Sequence, residues 1–336
     1  MSLFKLMSLT LVTMLCFAGN SVFCRLALRQ TTIDAASFTT LRLLSGALVL
    51  VLLVYARRQF QGTEGAKLTA TATLTTPTAA AISAASAMPA ASIKSTAPPI
   101  SAAAPATATS TAAVKTTTSG NWPSALALFV YASAFSWSYT HLSTGIGALL
   151  LFGAVQATMI LTGLWRGERL SARQTAGLVM ALGGVVAILS PGIDAPPLAS
   201  ALLMMASGVA WGVYSLRGRN ATDPTGDTAG NFWRAALMAL LVSAVLLSQA
   251  QLDGMGALYA VLSGALTSGM GYALWYAVLP KLTRTRAAAV QLSVPVLASL
   301  AGAVFVGEPL TLSLLLTSAA VLGGIAMVVY GKHSTG

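Results

Sequence analysis

The sequence predicts an all-α polytopic membrane protein with ten transmembrane helices arranged as two inverted five-helix repeats. Three observations predict it: the scarcity of charge, the count of apolar runs, and an internal repetition that agrees with the sidedness of the cations. Of the 336 residues, 56% are hydrophobic and 8% are Asp, Glu, Lys or Arg, against roughly 25% charged residues in soluble domains. Mean hydropathy is +0.77. So few charges cannot cover a water-facing surface, whereas lipid-facing helices need none. This argues against a soluble enzyme, a nucleic-acid binder and a disulfide-rich secreted scaffold, despite a net charge of +11.

Apolar runs near 20 residues long fall at 5–24, 36–56, 123–141, 146–165, 172–190, 198–216, 230–248, 255–278, 286–306 and 312–331. The first run is too long for the apolar core of a signal peptide and no small-residue cleavage site follows it, so a retained helix is expected. Cys16 and Cys24 share that run. Eight helical residues separate them by about 12 Å, beyond disulfide reach of about 7 Å.

The segment 62–121 is dominated by Ala, Thr, Ser and Pro. It lacks a stripe of large apolar residues, so burial cannot offset its ordering entropy. It is expected to be a disordered cytoplasmic loop, either an inert insertion or a docking segment. The expected organisation is therefore 1–61 with helices one and two, the loop 62–121, 122–192 with helices three to five, and 193–336 as the second repeat.

The cations orient the chain. With the N-terminus inside, 15 of the 19 Lys and Arg residues face the cytoplasm, among them Arg57, Arg58, Arg166, Arg169 and Lys281. Only Arg25 and Arg29 fall outside, while Arg42 and Arg234 lie within or at the edge of spans. Both termini are then expected to be cytoplasmic.

An offset of 140 pairs Gly167-Glu168-Arg169-Leu170-Ser171 with Gly307-Glu308-Pro309-Leu310-Thr311, and Leu182-Gly183-Gly184 with Leu322-Gly323-Gly324. An offset of 192 pairs Arg25 with Arg217 and Arg42 with Arg234. The two offsets differ by about the length of the low-complexity segment. Five spans per copy is an odd number, so the second copy enters the membrane from the opposite side. Inverted repeats of this kind build secondary carriers, with the site near the midplane between the halves.

The Gly-Glu-x-Leu ends of spans four and nine, the Gly-Gly of spans five and ten, Arg42 in span two and the stretch FAGNSVFCRLAL (Phe17 to Leu28) together resemble the drug/metabolite transporter superfamily. The likeness is to its EamA-type members and covers the chain outside 62–121, whose length departs from the family's short loop. The resemblance implies ten helices, cytoplasmic termini, a central cavity and often efflux of amino acids or other small metabolites. It carries no particular substrate.

Polar and aromatic residues inside spans are the candidates for a substrate site, because amides facing lipid are unfavourable. These are Asn20, Arg42, Trp137, Gln156, Trp211, Tyr214, Tyr272, Trp275, Tyr276 and Gln291. Arg42 has two readings: a partner for a substrate carboxylate, or a scaffold group bonded to helix-end carbonyls. The aromatics are equally compatible with interfacial anchoring. Glu168 and Glu308 end spans four and nine; they either favour the N-terminus of the next helix or act as gates at opposite mouths. Pro295 in span nine is expected to kink its helix. The GxxxG pair Gly208 and Gly212, echoed by Ala298 and Gly302, reads as helix packing.

No acid lies in the middle third of a span, so no deep proton-coupling carboxylate stands out. The sequence also lacks GxxxxGK[ST], so the chain carries no ATPase motif of its own. No metal site and no cofactor is expected. The expected partners are a small-molecule substrate and the lipid bilayer, with no nucleic acid, and the expected location is a bacterial inner membrane. Two rival classes draw on other residues. One is an intramembrane serine hydrolase using Ser21 and His141, which needs the base within hydrogen-bond reach of the nucleophile; the other is a non-transporting scaffold that docks partners through 62–121.

Overall fold

A computed structural model describes residues 2–75, 119–167, 169–190, 195–219, 221–282 and 284–330. Its long helices are α1 (Leu3–Gln30), α2 (Ala35–Thr75), α3 (Trp122–Tyr139), α4 (Thr144–Trp165), α5 (Ala172–Leu189), α6 (Leu198–Gly218), α7 (Pro224–Val245), α8 (Gly254–Lys281), α9 (284–306) and α10 (Leu312–Tyr330). Among the described residues there is no strand, and nine of these helices are long and apolar enough to cross a membrane. The tenth, α3, is 18 residues long and diluted by Ser, Tyr and Trp. It keeps those polar residues because it is packed within the bundle, with Leu128, Phe135, Ser136 and Tyr139 all at 0% exposure.

The chain forms two compact units, Met1–Val54 with Thr118–Gly336, and Tyr55–Thr117. The second unit begins within α2, whose helix runs on to Thr75, so residues 62–75 of the segment expected to be a loop are helical. Its remainder, 76–118, lies outside the described residues.

Helix ends follow local chemistry. Asn121 accepts from Ser124 N at 2.9 Å to open α3, and Asp223 accepts from Gly226 N at 3.1 Å to open α7; a proline occupies the first turn of each, Pro123 and Pro224, where the missing N–H costs no bond. Ser171 and Gln174 form a reciprocal capping box at α5. The residues paired by the 140 offset, Gly167 and Gly307, have φ of +91° and +75°. Both spans therefore end through a left-handed glycine, which is the structural meaning of the repeated Gly-Glu-x-Leu.

Two helices of the second half are irregular. In α8, residues Leu262–Met270 are π-helical. In α9, Arg284–Gln291 and Ser293–Ala301 are separated at Leu292, and Gly302–Val306 is π-helical. Pro295 lacks the N–H that would bond Gln291 O, so the break falls where the sequence places it.

Packing obeys an exchange of halves. The first half places α3 and α4 against α6, and α3 against α7; the second places α8 and α9 against α1, and α8 against α2. The remaining pair, α5 and α10, packs on itself under the exchange, and the Cβ of an alanine at Gly177 would lie 2.6 Å from Gly324 O. Close approach through small residues is how helices associate where no water drives them together. Gly208 does the same against Leu151 O, 2.5 Å from its would-be Cβ, in agreement with the GxxxG reading. The outward faces are apolar, as with Leu241 at 69% and Leu316 at 62% exposure.

The tightest approach of one helix to another at a glycine is at Gly264, where an added Cβ would overlap Arg42 O and Ser45 Oγ. Gly264→Ala is expected to destabilise the protein by at least about 1–3 kcal/mol, as overpacking does. By contrast Gly183→Ala, whose Cβ meets nothing within 4 Å, should leave the melting temperature in detergent unchanged or raised. Thermal denaturation of the two purified variants separates them.

Candidate functional site

A cavity near the middle of the bundle is walled by both halves: Phe17, Asn20 and Ser21 from α1, Tyr131 and Phe135 from α3, Leu151 and Phe152 from α4, Trp211 from α6, and Thr267, Ser268 and Tyr272 from α8. Its volume is about 20 Å³, room for about one water. A larger cavity of about 70 Å³ lies between α4, α5, α6 and α10, but only apolar residues and glycine line it. The smaller one holds the chemistry.

Its aromatic wall is continuous. Trp211 lies 4.9 Å from Tyr131, 5.0 Å from Tyr272 and 5.4 Å from Tyr214, centroid to centroid. Phe17 meets Tyr272 and Trp275 edge-on at 5.9 and 6.0 Å. A polar seam runs beside these rings. Asn20 Nδ2 donates to Tyr131 Oη at 3.2 Å, and Ser263 Oγ donates to Asn20 Oδ1 at 2.7 Å. Arg42 Nη2 donates to the same Tyr131 Oη at 3.0 Å, and Nε donates to Ser268 Oγ at 3.4 Å. The guanidinium also lies over the Phe135 ring at 4.8 Å and the Tyr131 ring at 5.3 Å, a favourable placement for a desolvated cation.

The structure thus gathers Asn20, Arg42, Trp211, Tyr214, Tyr272 and Trp275 around one place. It does not gather the others. Gln156 is buried with Nε2 unpaired, one helical turn beyond Phe152, about 6 Å along the axis. Trp137 and Gln291 are half-buried and absent from the cavity wall, and Tyr276 packs at its periphery. Pro295 is buried in α9, away from that wall. Ser21 lines the cavity at 1% exposure, whereas His141 is exposed with Nδ1 2.7 Å from Thr140 Oγ1. The two members of the weighed hydrolase dyad are not brought together.

The sequence reading missed Tyr131, Ser263, Thr267 and Ser268. The signal was present in the spacing: Ser263 and Thr267 are four apart on one helical face, as are Tyr131 and Phe135. The π-helical stretch of α8 then carries the hydroxyls of Ser263, Thr267 and Ser268 to one side. Such segments occur often at functional sites.

One end of the bundle is latched. Arg25, expected just beyond the first span, lies inside α1 because that helix continues to Gln30. It is buried at 5%. Its Nε donates to Glu308 Oε1 at 2.9 Å, and Nη1 donates to Tyr139 O at 2.8 Å and Thr140 O at 3.2 Å. The other carboxylate oxygen of Glu308 accepts from Thr144 N at 2.7 Å. Glu308 therefore stabilises the N-terminus of α4, in the opposite half, and not that of the following helix α10 as expected. The reason is local: Ser143, at the cap position of α4, supplies no side-chain bond, which leaves an N–H for the carboxylate. Glu168, the counterpart of Glu308, lies outside the described residues.

At the same end the α1–α2 and α7–α8 loops clasp. Asp34 N donates to Gln251 O and Gln251 N to Asp34 Oδ2, both at 3.0 Å, while Thr32 N donates to Asp253 Oδ2 at 3.1 Å. Partial burial pushes the Asp34 carboxyl up, but the Ser37 side chain and the N–H donors of Ser37, Gln251 and Ala36 outweigh it and hold it below the usual carboxylate range. The bond from Gly256 N does the same for Asp253. Lowered carboxyls stabilise the folded clasp in full above their unfolded pKa of about 3.9 and lose that contribution as pH falls from there through their lower folded values.

Two outcomes follow. Hydrogen exchange at residues 32–34 and 251–253, corrected for the intrinsic pH dependence of exchange, should show unchanged protection from pH 7 to 5 and a loss below about pH 4. Removing one partner of a buried ion pair costs about 3–5 kcal/mol, so Glu308→Gln should lower stability by that order. The double variant Arg25→Met, Glu308→Gln should lose clearly less than the sum of its single changes in a thermal double-mutant cycle.

Comparison with known proteins agrees with this architecture. The profile of the EamA-like transporter family matches residues 198–330, which is the run from the start of α6 to the end of α10. An uncharacterized protein of Pseudomonas aeruginosa is 46% identical over 96% of this chain and 93% of its own length. A Salmonella typhimurium protein named a probable amino-acid metabolite efflux pump is 25% identical over 56% of this chain and 68% of its own. A solved crystal structure shares the fold at a TM-score of 0.57 and 18% identity, over 96% of this chain and 97% of the other. A multi-pass helical bundle in two five-helix halves, one of them matched by the family profile, with a relative that is 46% identical nearly end to end, belongs to the EamA-like transporter family.

Proposed function

We propose that the protein is a secondary carrier that exports small metabolites, amino acids or their relatives, by alternating access between α1–α5 and α6–α10. The observation that carries this reading is the central cavity, which takes its walls from both halves while one end of the bundle is held by separate contacts. Relative motion of the halves changes the cavity and the ends together, which is what alternating access requires. The name given to the Salmonella relative supports efflux.

The cation bias puts both termini in the cytoplasm of a bacterial inner membrane, so the Arg25–Glu308 latch closes the outer mouth. Release of Glu308 from Thr144 N and Arg25 opens that mouth, and the break at Leu292 beside Pro295 lets α9 bend as it does so. Glu168 is the matching group for the inner mouth. The substrate site comprises Asn20, Arg42, Trp211, Tyr214, Tyr272 and Trp275, with Gln156 reached on opening. Trp137, Tyr276 and Gln291 are not part of it in this conformation.

The test compares extracellular metabolites of a deletion strain with those of an overexpressing strain, followed by flux measurements in proteoliposomes. Export predicts that at least one small metabolite rises outside on overexpression, falls on deletion and is moved by the purified protein. No change in either strain, together with no flux across a broad panel, refutes the reading. Deleting residues 76–117 should preserve flux; its loss in a folded variant would favour the scaffold reading.

A further inference from the structure

Arg42 is 1% exposed in the interior of the bundle. Two of its nitrogens are bonded, to Tyr131 and Ser268, and Nη1 has no partner. Its charge faces hydroxyl dipoles and ring faces. The ion pair found among the described residues, Arg25–Glu308, is at the end of the bundle. A guanidinium stays protonated in proteins, so this cation cannot escape its cost by titrating. A buried charge without a counter-charge is unfavourable by several kcal/mol.

Arg42 stands directly behind the cavity wall, bonded to the lining residues Tyr131 and Ser268, and the wall itself carries further donors. Tyr131 Oη accepts from both Asn20 Nδ2 and Arg42 Nη2, which fills its two lone pairs and leaves its own proton to donate. The amide oxygen of Asn20 is taken by Ser263. Gln156 Nε2, farther along α4, is a second buried N–H donor without a partner. The aromatic rings of Phe17, Trp211 and Tyr272 line the same cavity.

We infer that the cavity, which has room for about one water in this conformation, widens as the halves move to bind a monoanionic carboxylate with an apolar body. The carboxylate meets Arg42 and the Tyr131 hydroxyl, and the body lies against Trp211, Tyr272 and Phe17. An ammonium on the same small molecule would be held close to the like charge of Arg42, so a 2-oxo acid fits better than the corresponding amino acid. The inference rests on the carrier reading and adds its energy source. A monoanion is driven out of a cell that is negative inside, at about 2.3 kcal/mol per 100 mV, an outward gradient of about 50-fold. Export then needs no proton-coupling acid within the membrane.

The test uses the full-length protein in proteoliposomes at pH 7.5, loaded with pyruvate, 2-oxoisovalerate, 2-oxoisocaproate and phenylpyruvate. The matching amino acids and their amides are loaded in parallel, and efflux is followed by mass spectrometry with and without a valinomycin potassium potential. Efflux of at least one 2-oxo acid, accelerated when the lumen is negative and absent for the amides, is expected. Arg42→Gln should abolish that efflux, and Arg42→Lys should retain part of it. Tyr131→Phe, which keeps the ring and serves if the Arg42 variants fail to fold, should raise KM about tenfold, the loss of one hydrogen bond to a charged group. Efflux of amino acids or amides with no movement of 2-oxo acids overturns the inference and leaves the carrier standing. So does 2-oxo acid efflux with unchanged KM in folded Arg42→Gln or Tyr131→Phe. No efflux of any compound, joined to unchanged extracellular metabolites in the two strains, overturns the carrier reading itself.

Discussion

Arg42 cannot reach water from its place on α2, at 1% exposure, so its N–H donors have to be met by neighbours or left unmet. Much of the bundle's irregular geometry stands close to that problem. The backbones of α2 and α8 come together at Gly264, against Arg42 O, because no side chain separates them there. The π-helical stretch of α8 then presents Ser268 to the guanidinium and Ser263 to Asn20. From the other side α3 supplies Tyr131 and Phe135, one as acceptor and both as ring faces. Hydroxyl bonds between helices fix those positions: Thr39 to Ser136, Thr40 with Ser243, and Ser207 to Tyr131 O. In a low-dielectric interior such bonds are costly to leave unmade, so the cation organises helices from both halves.

The fold was legible in the sequence because its causes are local or repetitive. Apolar run length, loop cations and two offsets near 140 and 192 are each visible without a neighbour in space. The left-handed φ of Gly167 and Gly307 gives the repeated motif its physical basis. The site was legible only by half. Asn20, Arg42, Trp211 and Tyr272 stand out as polar or aromatic residues within apolar runs. Tyr131 and the α8 hydroxyls do not, because Ser and Thr also bond their own helix backbone, as Thr267 does to Ser263 O at 2.7 Å, and so carry no tertiary signal. Arg25 was hidden by a boundary. Ending α1 at residue 24 makes Arg25 a loop cation, and continuing it to Gln30 makes the same residue a buried half of an ion pair.

That boundary has a physical cause. A helix that stopped at Cys24 would leave its last carbonyls unpaired near the membrane edge, whereas the extra turns to Gln30 satisfy them within α1. The extension carries Arg25 to the carbonyls that end α3, Tyr139 O and Thr140 O, and to Glu308 beyond. A cation at the C-terminus of one helix and a carboxylate at the N-terminus of another are each favoured by the helix dipole. Their pairing closes both ends with a single contact. This economy is also what makes the contact suitable as a gate. Glu308 is 13% exposed, so water can take over its bonds as the helix ends separate. A fully buried pair would have no such substitute and would hold the halves in one arrangement. Arg42, sealed at 1% exposure, has no such route to water. On the carrier reading the two arginines therefore divide the work by accessibility: the one at the rim exchanges protein for solvent, and the one at the centre waits for a solute.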